Sequence, residues 1–519
     1  MSKVRTADEV AALIKDQSTI GISIMGLAGW PEEVAQAIEQ RFLNTGSPKN
    51  LTIVSSSGAG DSRERGITRF GYKGLVKKWI AGHMGQAPKL RKLVEDNKIE
   101  AYNLPQGVVV QQWREIAANR PGLITKVGLG TFIDPRIEGG RMNDCSKDEL
   151  VKVIEIEGEE YLFYKTYKVD VAIIRGTVAD ENGNLTMDNE GIFLEALPLA
   201  QATKNCGGIV IAQAEQIALP KSIHPKRVKV PGILVDYVVK CENHENHFQT
   251  EAVYFNPSFS GDVRIPLSSI PPLPLNERKI VARRASMELT PNVIVNLGIG
   301  VSSDVAAVAA EEGVSDLMYL TTESGTIGGV PASPPDFGHT YNADAIIEHH
   351  AQFDFYDGGG IDLAYLGMAQ IDKDGNINVT KFTGRVVGSG GFINISQNSR
   401  KVVFCGTFTA GGLEVAVKDG MLKIVSEGRA KKFVDQVDQI TFSGKYARKI
   451  KQPVFYVTER AVFSLEPEGL TLIEIAPGID LEKDILAQMN FKPLIADNLK
   501  KMPQAIFNQE WGKLRETVI

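Results

Sequence analysis

L-T-T-E-S-G-T-I-G-G, residues Leu320–Gly329, is the stretch on which the fold reading turns. The apolar run Leu317–Leu320 leads into it with the length and bulk of a short buried strand. Two Thr, one Glu, one Ser and a Gly cluster follow, so Glu323 falls near the carboxyl end of that strand. In open α/β sheets this edge is where ligands bind. Gly325, Gly328 and Gly329 let the backbone turn sharply and approach a substrate with no Cβ in the way. A lone carboxylate there serves as base, metal ligand or nucleophile. A solvated Glu on a surface loop would have the same local sequence.

Working outward, the same pattern recurs. Val293–Leu297 has strand composition, G-I-G-V-S-S forms a turn, and Asp304–Glu312 continues as a helix stopped by Gly313. Lys279–Leu289 is helical in composition. Upstream of it, Pro257, Pro266, Pro271, Pro272 and Pro274 crowd a segment that can form neither a helix nor a central strand. We therefore expect a linker over 256–278, an N-terminal domain over 1–255 and a C-terminal domain over 279–519. In the first half, Thr19–Ile24 runs into M-G-L-A-G-W-P-E-E and a helical Val34–Phe42. Leu51–Ser55 runs into S-S-S-G-A-G-D. Ala87–Asn97 has helix composition, Val127–Pro135 is a strand or loop punctuated by Gly, and Val169–Ile174 and Gly208–Ala212 are apolar runs of strand length. This alternation predicts an α/β fold with open, mostly parallel sheets covered by helices. Thr6 and Glu9 have the spacing of a capping box at the start of a helix.

The halves also resemble one another. Val169–Thr186 lies without gaps on Ile361–Asn378, with Asp170/Asp362, Ala172/Ala364, Gly183/Gly375 and Asn184/Asn376 identical. Both copies predict a strand ending in an acidic turn closed by Gly-Asn. Gly29 corresponds to Gly300, and Val34 to Val305. The expectation is a tandem duplication giving two related α/β domains.

Composition narrows the function. The chain has 519 residues, 43% apolar and 23% charged, with a formal net charge of -6. That length calls for more than one core, and that charge argues against nucleic acid as a partner. No apolar run is long enough to span a membrane. The N-terminus lacks a signal-peptide core. The four Cys (145, 206, 241, 405) show no CxxC spacing, which fits a reducing cytoplasm with thiols as small core residues.

Several stretches in order resemble the family I CoA-transferases, most closely the single-chain acetate and propionate CoA-transferases. L-T-T-E-S-G-T-I-G (Leu320–Gly328) is similar to the family's nucleophile motif, departing from its S-E-N-G form at Thr322 and Ser324. G-L-A-G-W-P-E (Gly26–Glu32) resembles the Gly-rich first-domain motif, here with Trp30. N-L-P-Q-G (Asn103–Gly107) resembles the P-Q-G segment, and V-G-S-G-G-F-I (Val387–Ile393) the G-x-G-G segment. T-F-I-D-P-R, Y-N-A-D and F-C-G-T-F-T-A-G-G also match that branch.

The resemblance implies that Glu323 carries coenzyme A as a thioester, with CoA as substrate and covalent intermediate and no tightly bound cofactor. It implies short-chain acyl-CoAs and carboxylates as partners, and a homo-oligomer. Moving CoA between two acids suits a carboxylate nucleophile: its attack on a thioester gives a mixed anhydride, and the released thiolate then takes the Glu side. Gln106 would position Glu323 or hold its carbonyl oxygen. Gly388, Gly390 and Gly391 are candidate donors to the oxygen that gains charge. Gly298 and Gly300, and Gly29 in the first half, are candidate CoA contacts in Gly-rich turns. No metal site is expected.

Other features point away from chemistry. His244 and His247 in C-E-N-H-E-N-H predict a surface loop rather than a metal site. His349-His350 predicts the closing turn of a helix, where positive charge is favoured. Arg283-Arg284 and Arg429–Phe433 predict solvated faces, and Asn342 fits a polar core contact or a substrate role equally. Two alternatives stay open. One is an acyl-CoA hydrolase on the same scaffold, separated only by exclusion of water. The other is a non-catalytic small-molecule sensor.

Overall fold

The structure is a computed structural model and describes residues 2–266, 273–332 and 334–518. Part of the expected linker, including Pro271 and Pro272, lies outside the described residues. Two compact units are present. The first comprises Met1–Ile265, Thr322–Asp354 and Gly384–Asn394, and the second Pro266–Thr321, Phe355–Thr383 and Ile395–Ile519.

In the first unit the strands are β1 (Val4–Arg5), β2 (Thr19–Ile22), β3 (Leu51–Ser55), β4 (Val76–Ala81) and β5 (Glu100–Asn103), then an antiparallel trio β6 (Gly122–Thr125), β7 (Val151–Ile156) and β8 (Glu159–Lys165), then β9 (Val171–Asp180), β10 (Ile209–Ala218) and β11 (Tyr237–Lys240). Its main sheet has the order β1-β11-β10-β9-β2-β3-β4-β5, and every pair in it is parallel. Ile20, Ile53, Val54, Trp79, Ala172 and Ile211 are fully or almost fully buried on it. Burial of each Ile or Val among them contributes about 1.5–3 kcal/mol. Helices α1 (Ala7–Ala12), α2 (Glu32–Thr45), α3 (Pro88–Glu95), α4 (Gln106–Ala117) and α5 (Ala196–Asn205) supply the connections. The Thr6–Glu9 capping box opens α1, and α2 ends on Gly46 at φ 72°, the left-handed stop that glycine adopts without a Cβ penalty.

Chain order in this sheet reverses between β2 and β9. From β2 the chain steps outward through β3, β4 and β5; from β9 it steps the other way through β10 and β11. Such a switch point opens a crevice at the carboxyl edge, and the Gly26–Trp30 turn follows β2 there.

The second unit repeats this plan. Its first helices are α6 (Glu277–Ser286) and α7 (Asp304–Glu311), and its first strands β12 (Val293–Leu297) and β13 (Met318–Thr321). β13, β12, Leu363–Gly367, Lys401–Cys405 and Val454–Val457 lie side by side in parallel. This is the order of β3, β2, β9, β10 and β11. Ala461–Glu466 and Gly469–Ile475 then add antiparallel, and Leu494–Lys501 parallel to the last. The duplication holds atom by atom. Asp170 Oδ2 accepts the Thr19 N–H at 2.9 Å, and Asp362 Oδ2 accepts the Ile294 N–H at 3.0 Å. In the acidic turns, Asn184 Nδ2 donates to Asp180 at 2.9 Å and Asn376 Nδ2 to Asp372 at 3.0 Å, with Gly183 at φ 89° and Gly375 at φ 78°.

Several surface expectations are corrected. Arg283 and Arg284 do not form a solvated face, being 1% and 5% exposed. Arg284 grips Glu474 with two hydrogen bonds of 2.8 Å and also meets Glu288 at 2.9 Å. Arg283 donates to the carbonyls of Ile506, Asn508 and Gln509. Arg429 and Lys431 are exposed, but Lys432 and Phe433 beside them are buried. His247 is not on a surface loop: it is buried beside Gln213 and 3.6 Å from Glu190, which Arg175 pairs at 2.6 Å. Asn342, at φ 58°, spends its side chain on both backbone groups of Ile265, a structural contact. All four cysteines are free; Cys241 and Cys405 are buried, Cys145 and Cys206 only partly.

Candidate active site

At the carboxyl edge of the first unit's sheet, four strands deliver polar groups. β2 is followed by Ser23, β3 by Ser56, β4 by Gly82, and β5 ends on Asn103. Pro105 stands at the N-cap of α4 and makes Gln106 its first residue, since proline suits a chain about to enter a helix and cannot continue a strand. Gln106 is thereby fixed at this edge, 1% exposed.

Residues 384–394 lie in the same unit, and Val387–Gly390 runs along Gly82–Gly85. Val387 O accepts the Met84 and Gly85 N–H groups at 2.7 and 3.1 Å. Gly390 N–H donates to Gly82 O at 2.7 Å, and Gln106 N–H donates to Gly390 O at 3.0 Å. Asn103 Oδ1 accepts the Ser389 N–H at 2.9 Å. Gly388, at φ 90°, has His83 Cα, Asn103 Nδ2 and Gly82 O within 3.0–3.1 Å of where a Cβ would stand, so only glycine fits. Gly390 is also left-handed, at φ 53°. Its N–H is committed to Gly82, whereas those of Gly388 and Gly391 have no hydrogen-bond partner among the described residues.

The Glu323 loop begins where β13 ends. Thr322 N–H donates to Thr326 O at 3.0 Å, Gly325 N–H to Thr322 O at 3.2 Å, and the hydroxyls of Thr322, Ser324 and Thr326 bond in a chain. Gly325, at φ 108°, lies flat against Ile347, whose N–H donates to Gly325 O at 2.9 Å; a Cβ would stand 2.1 Å from Ile347 O. Glu323 itself is partly buried, and no ion pair holds its carboxylate among the described residues. Burial raises its pKa above the ordinary Glu value.

His349 is the residue that sequence reasoning missed. It opens α8 (His349–Asp357) rather than closing a helix, so the expected favourable end for positive charge is reversed. Its Nδ1 lies 2.7 Å from Glu195 Oε2, and its Nε2 lies 2.9 Å from Gln106 Nε2. Glu195, the N-cap of α5, takes the Ser56 hydroxyl on its other oxygen at 2.6 Å. No local pattern links these residues, because each is the first turn of a different helix.

The remaining candidates are placed as follows. Gly29, at φ 70°, is packed: a Cβ would stand 2.6 Å from Leu194 Cδ1 and 2.8 Å from Ser23 O. Gly298 and Gly300 belong to the second unit, in the turn after β12. There Gly298 N–H donates to Tyr365 O at 2.7 Å, and Gly300, at φ 95°, has open space where a Cβ would be. Among the described residues no group of three His, Cys, Asp or Glu is placed to hold a metal ion, and no helix is long and apolar enough to cross a membrane.

Comparisons with known proteins identify the family. Residues 4–241 match the family described as Coenzyme A transferase. The chain is 56% identical over 519 residues to a caffeate CoA-transferase of Acetobacterium woodii, covering 99% of each chain. It is 45% identical over 507 residues to the acetate CoA-transferase YdiF of Escherichia coli K12, covering 97% of this chain and 95% of that one. A crystal structure of the E. coli O157:H7 acyl-CoA transferase YdiF, in a thioester complex with CoA, superposes with a TM-score of 0.92 at 43% identity over 98% of this chain and 97% of that one. With two related parallel-sheet units and this identity over its whole length, the chain belongs to the family I CoA-transferases and is a CoA-transferring enzyme.

Proposed function

We propose that the protein moves CoA between a short-chain acyl-CoA and a free short-chain carboxylate, of the acetate, propionate and butyrate class, by ping-pong chemistry through a thioester on Glu323. The observation that carries this is a partly buried carboxylate with no ion pair among the described residues, set in a Gly-rich loop within electrostatic reach of His349, whose ring meets Gln106. An ion pair would hold it back from attack; burial raises its pKa and with it the basicity of its oxygens. The carboxylate adds to the thioester carbonyl and expels CoA thiolate, leaving a mixed anhydride. The thiolate then attacks the Glu323 carbonyl, forming the glutamyl thioester and releasing the first acid. An incoming acid runs the two steps backwards. The negative oxygen of each tetrahedral stage falls to the free N–H groups of Gly388 and Gly391 and to the Gln106 amide, each such donor being worth about 3–4 kcal/mol.

The test is incubation with acetyl-CoA and no acceptor acid. The Glu323 peptide gains the mass of CoA less water and loses it to hydroxylamine. Glu323→Ala with full transfer activity, or an adduct on another residue, overturns the assignment. Because a caffeate CoA-transferase is 56% identical, a second reading of the acceptor is an aryl-propenoic acid. A matrix of donor acyl-CoAs against acetate, propionate, butyrate, lactate and caffeate separates the two.

A further inference from the structure

We propose that Glu195 and His349 form a positioning pair that fixes one imidazole tautomer and, through it, which way round the Gln106 amide sits. The idea rests on the reading of Glu323 and Gln106 given above and extends it to two residues outside the reacting groups.

Glu195 and His349 are 0% exposed and Gln106 is 1% exposed, so their polar atoms must satisfy one another. A carboxylate can only accept. Glu195 takes the Ser56 hydroxyl on Oε1 and His349 on Oε2, so the His349 proton sits on Nδ1. With that proton given to Glu195, the neutral ring offers its lone pair at Nε2. Its Nε2 is therefore an acceptor. The group 2.9 Å from it must be the Gln106 NH2 rather than the carbonyl oxygen. One N–H of that NH2 serves His349, and the other is left for the acyl carbonyl handled at Glu323. Gln106 Oε1 turns toward Gly390, 3.5 Å from where a Cβ on that residue would stand. The relay is tied to the nucleophile loop by backbone. His349 N–H donates to Leu194 O at 3.1 Å, next to Glu195, and Ile347 N–H donates to Gly325 O at 2.9 Å.

The experiment is Glu195→Gln in the full-length enzyme. The amide keeps the shape and the Ser56 bond, but its NH2 now donates to Nδ1. The ring proton moves to Nε2, and Gln106 must turn its oxygen toward it. The expected result is a kcat lowered on the order of 10²-fold with KM nearly unchanged. In a Gln106→Ala background the same substitution lowers kcat less than about twofold, since no amide remains to misorient. Equal losses in both backgrounds, or no loss in the parent, overturn the proposal. Should the variant fold poorly, NMR of the ¹⁵N-histidine-labelled parent decides. A His349 proton on Nδ1 supports the relay, and one on Nε2 refutes it. The CoA adduct separates this from the underlying reading. Trapping on Glu323 in both proteins, slower in Glu195→Gln, supports the relay, while equal rates refute it. Absence of the Glu323 adduct from the parent defeats the nucleophile assignment instead and leaves the tautomer measurement to judge the pair.

Discussion

Replacing Gly82 with Ala measures how tightly the sheet edge fixes the reacting groups. A Cβ at that position would stand 1.8 Å from Ser56 O and 3.2 Å from Gln106 Cα. Relieving the first contact requires backbone to move by roughly 1.2 Å, because close-packed interiors leave no slack. Both sides of the clash matter. Ser56 holds Glu195, while Gly82 O receives the Gly390 N–H at 2.7 Å. Overpacking of this kind costs about 1–3 kcal/mol of stability. A displacement near 1 Å of positioned groups costs about 10²-fold in rate. The assay is transfer of CoA from acetyl-CoA to propionate, read as kcat/KM beside an unfolding curve for each protein. Gly46→Ala is the control. It has nothing within 4 Å of its Cβ, and its φ of 72° costs about 1–2 kcal/mol in the left-handed region. Gly46→Ala is expected to lose stability and keep kcat/KM; Gly82→Ala is expected to lose both. A Gly82→Ala enzyme within twofold of the parent kcat/KM would refute the claim that this edge positions Gln106 and the Gly388–Gly391 turn.

Two further outcomes concern stability. Arg284→Met leaves the partly buried Glu474 without its cation, while Glu288 keeps Lys401; a loss of about 1–3 kcal/mol is expected in chemical unfolding, with kcat per folded molecule unchanged. Glu190 has a folded pKa of about 2: burial pushes it up, but the Arg175 guanidinium and the His247 ring outweigh burial. Because the folded value lies below the ordinary 4.5, the stabilisation is complete above pH 4.5 and is lost as pH falls toward 2. It amounts to a few kcal/mol. Acid unfolding of Glu190→Gln should therefore depend less steeply on pH in that window than that of the parent, and parallel curves would count against this pair.

The chain's own order of residues determined the strands and their turns. Thr19–Ile22, Leu51–Ser55, Val293–Leu297 and Met318–Thr321 are short apolar runs with polar or glycine-rich exits, and local packing needs nothing else to choose a buried strand. The duplication was legible for a similar reason. Asp180 and Asp372 each hold a turn five residues long by bonds within that turn, so the signature stays local. Glu323 could be singled out because it stands at the end of a strand, whereas Gln106 was named only through the family resemblance of N-L-P-Q-G. What tertiary structure alone decided is which distant segments share an edge. His349 meets Glu195 across 154 positions and Gln106 across 243, and residues 322–354 and 384–394 fold with the first unit. Arg283-Arg284 has the local pattern of a wet helix face; only the arrival of Glu474, 190 positions away, makes burial of Arg284 favourable. Hydrogen-bond partners of buried charges are chosen by strand order in the sheet, and that order is not written in any short window of sequence.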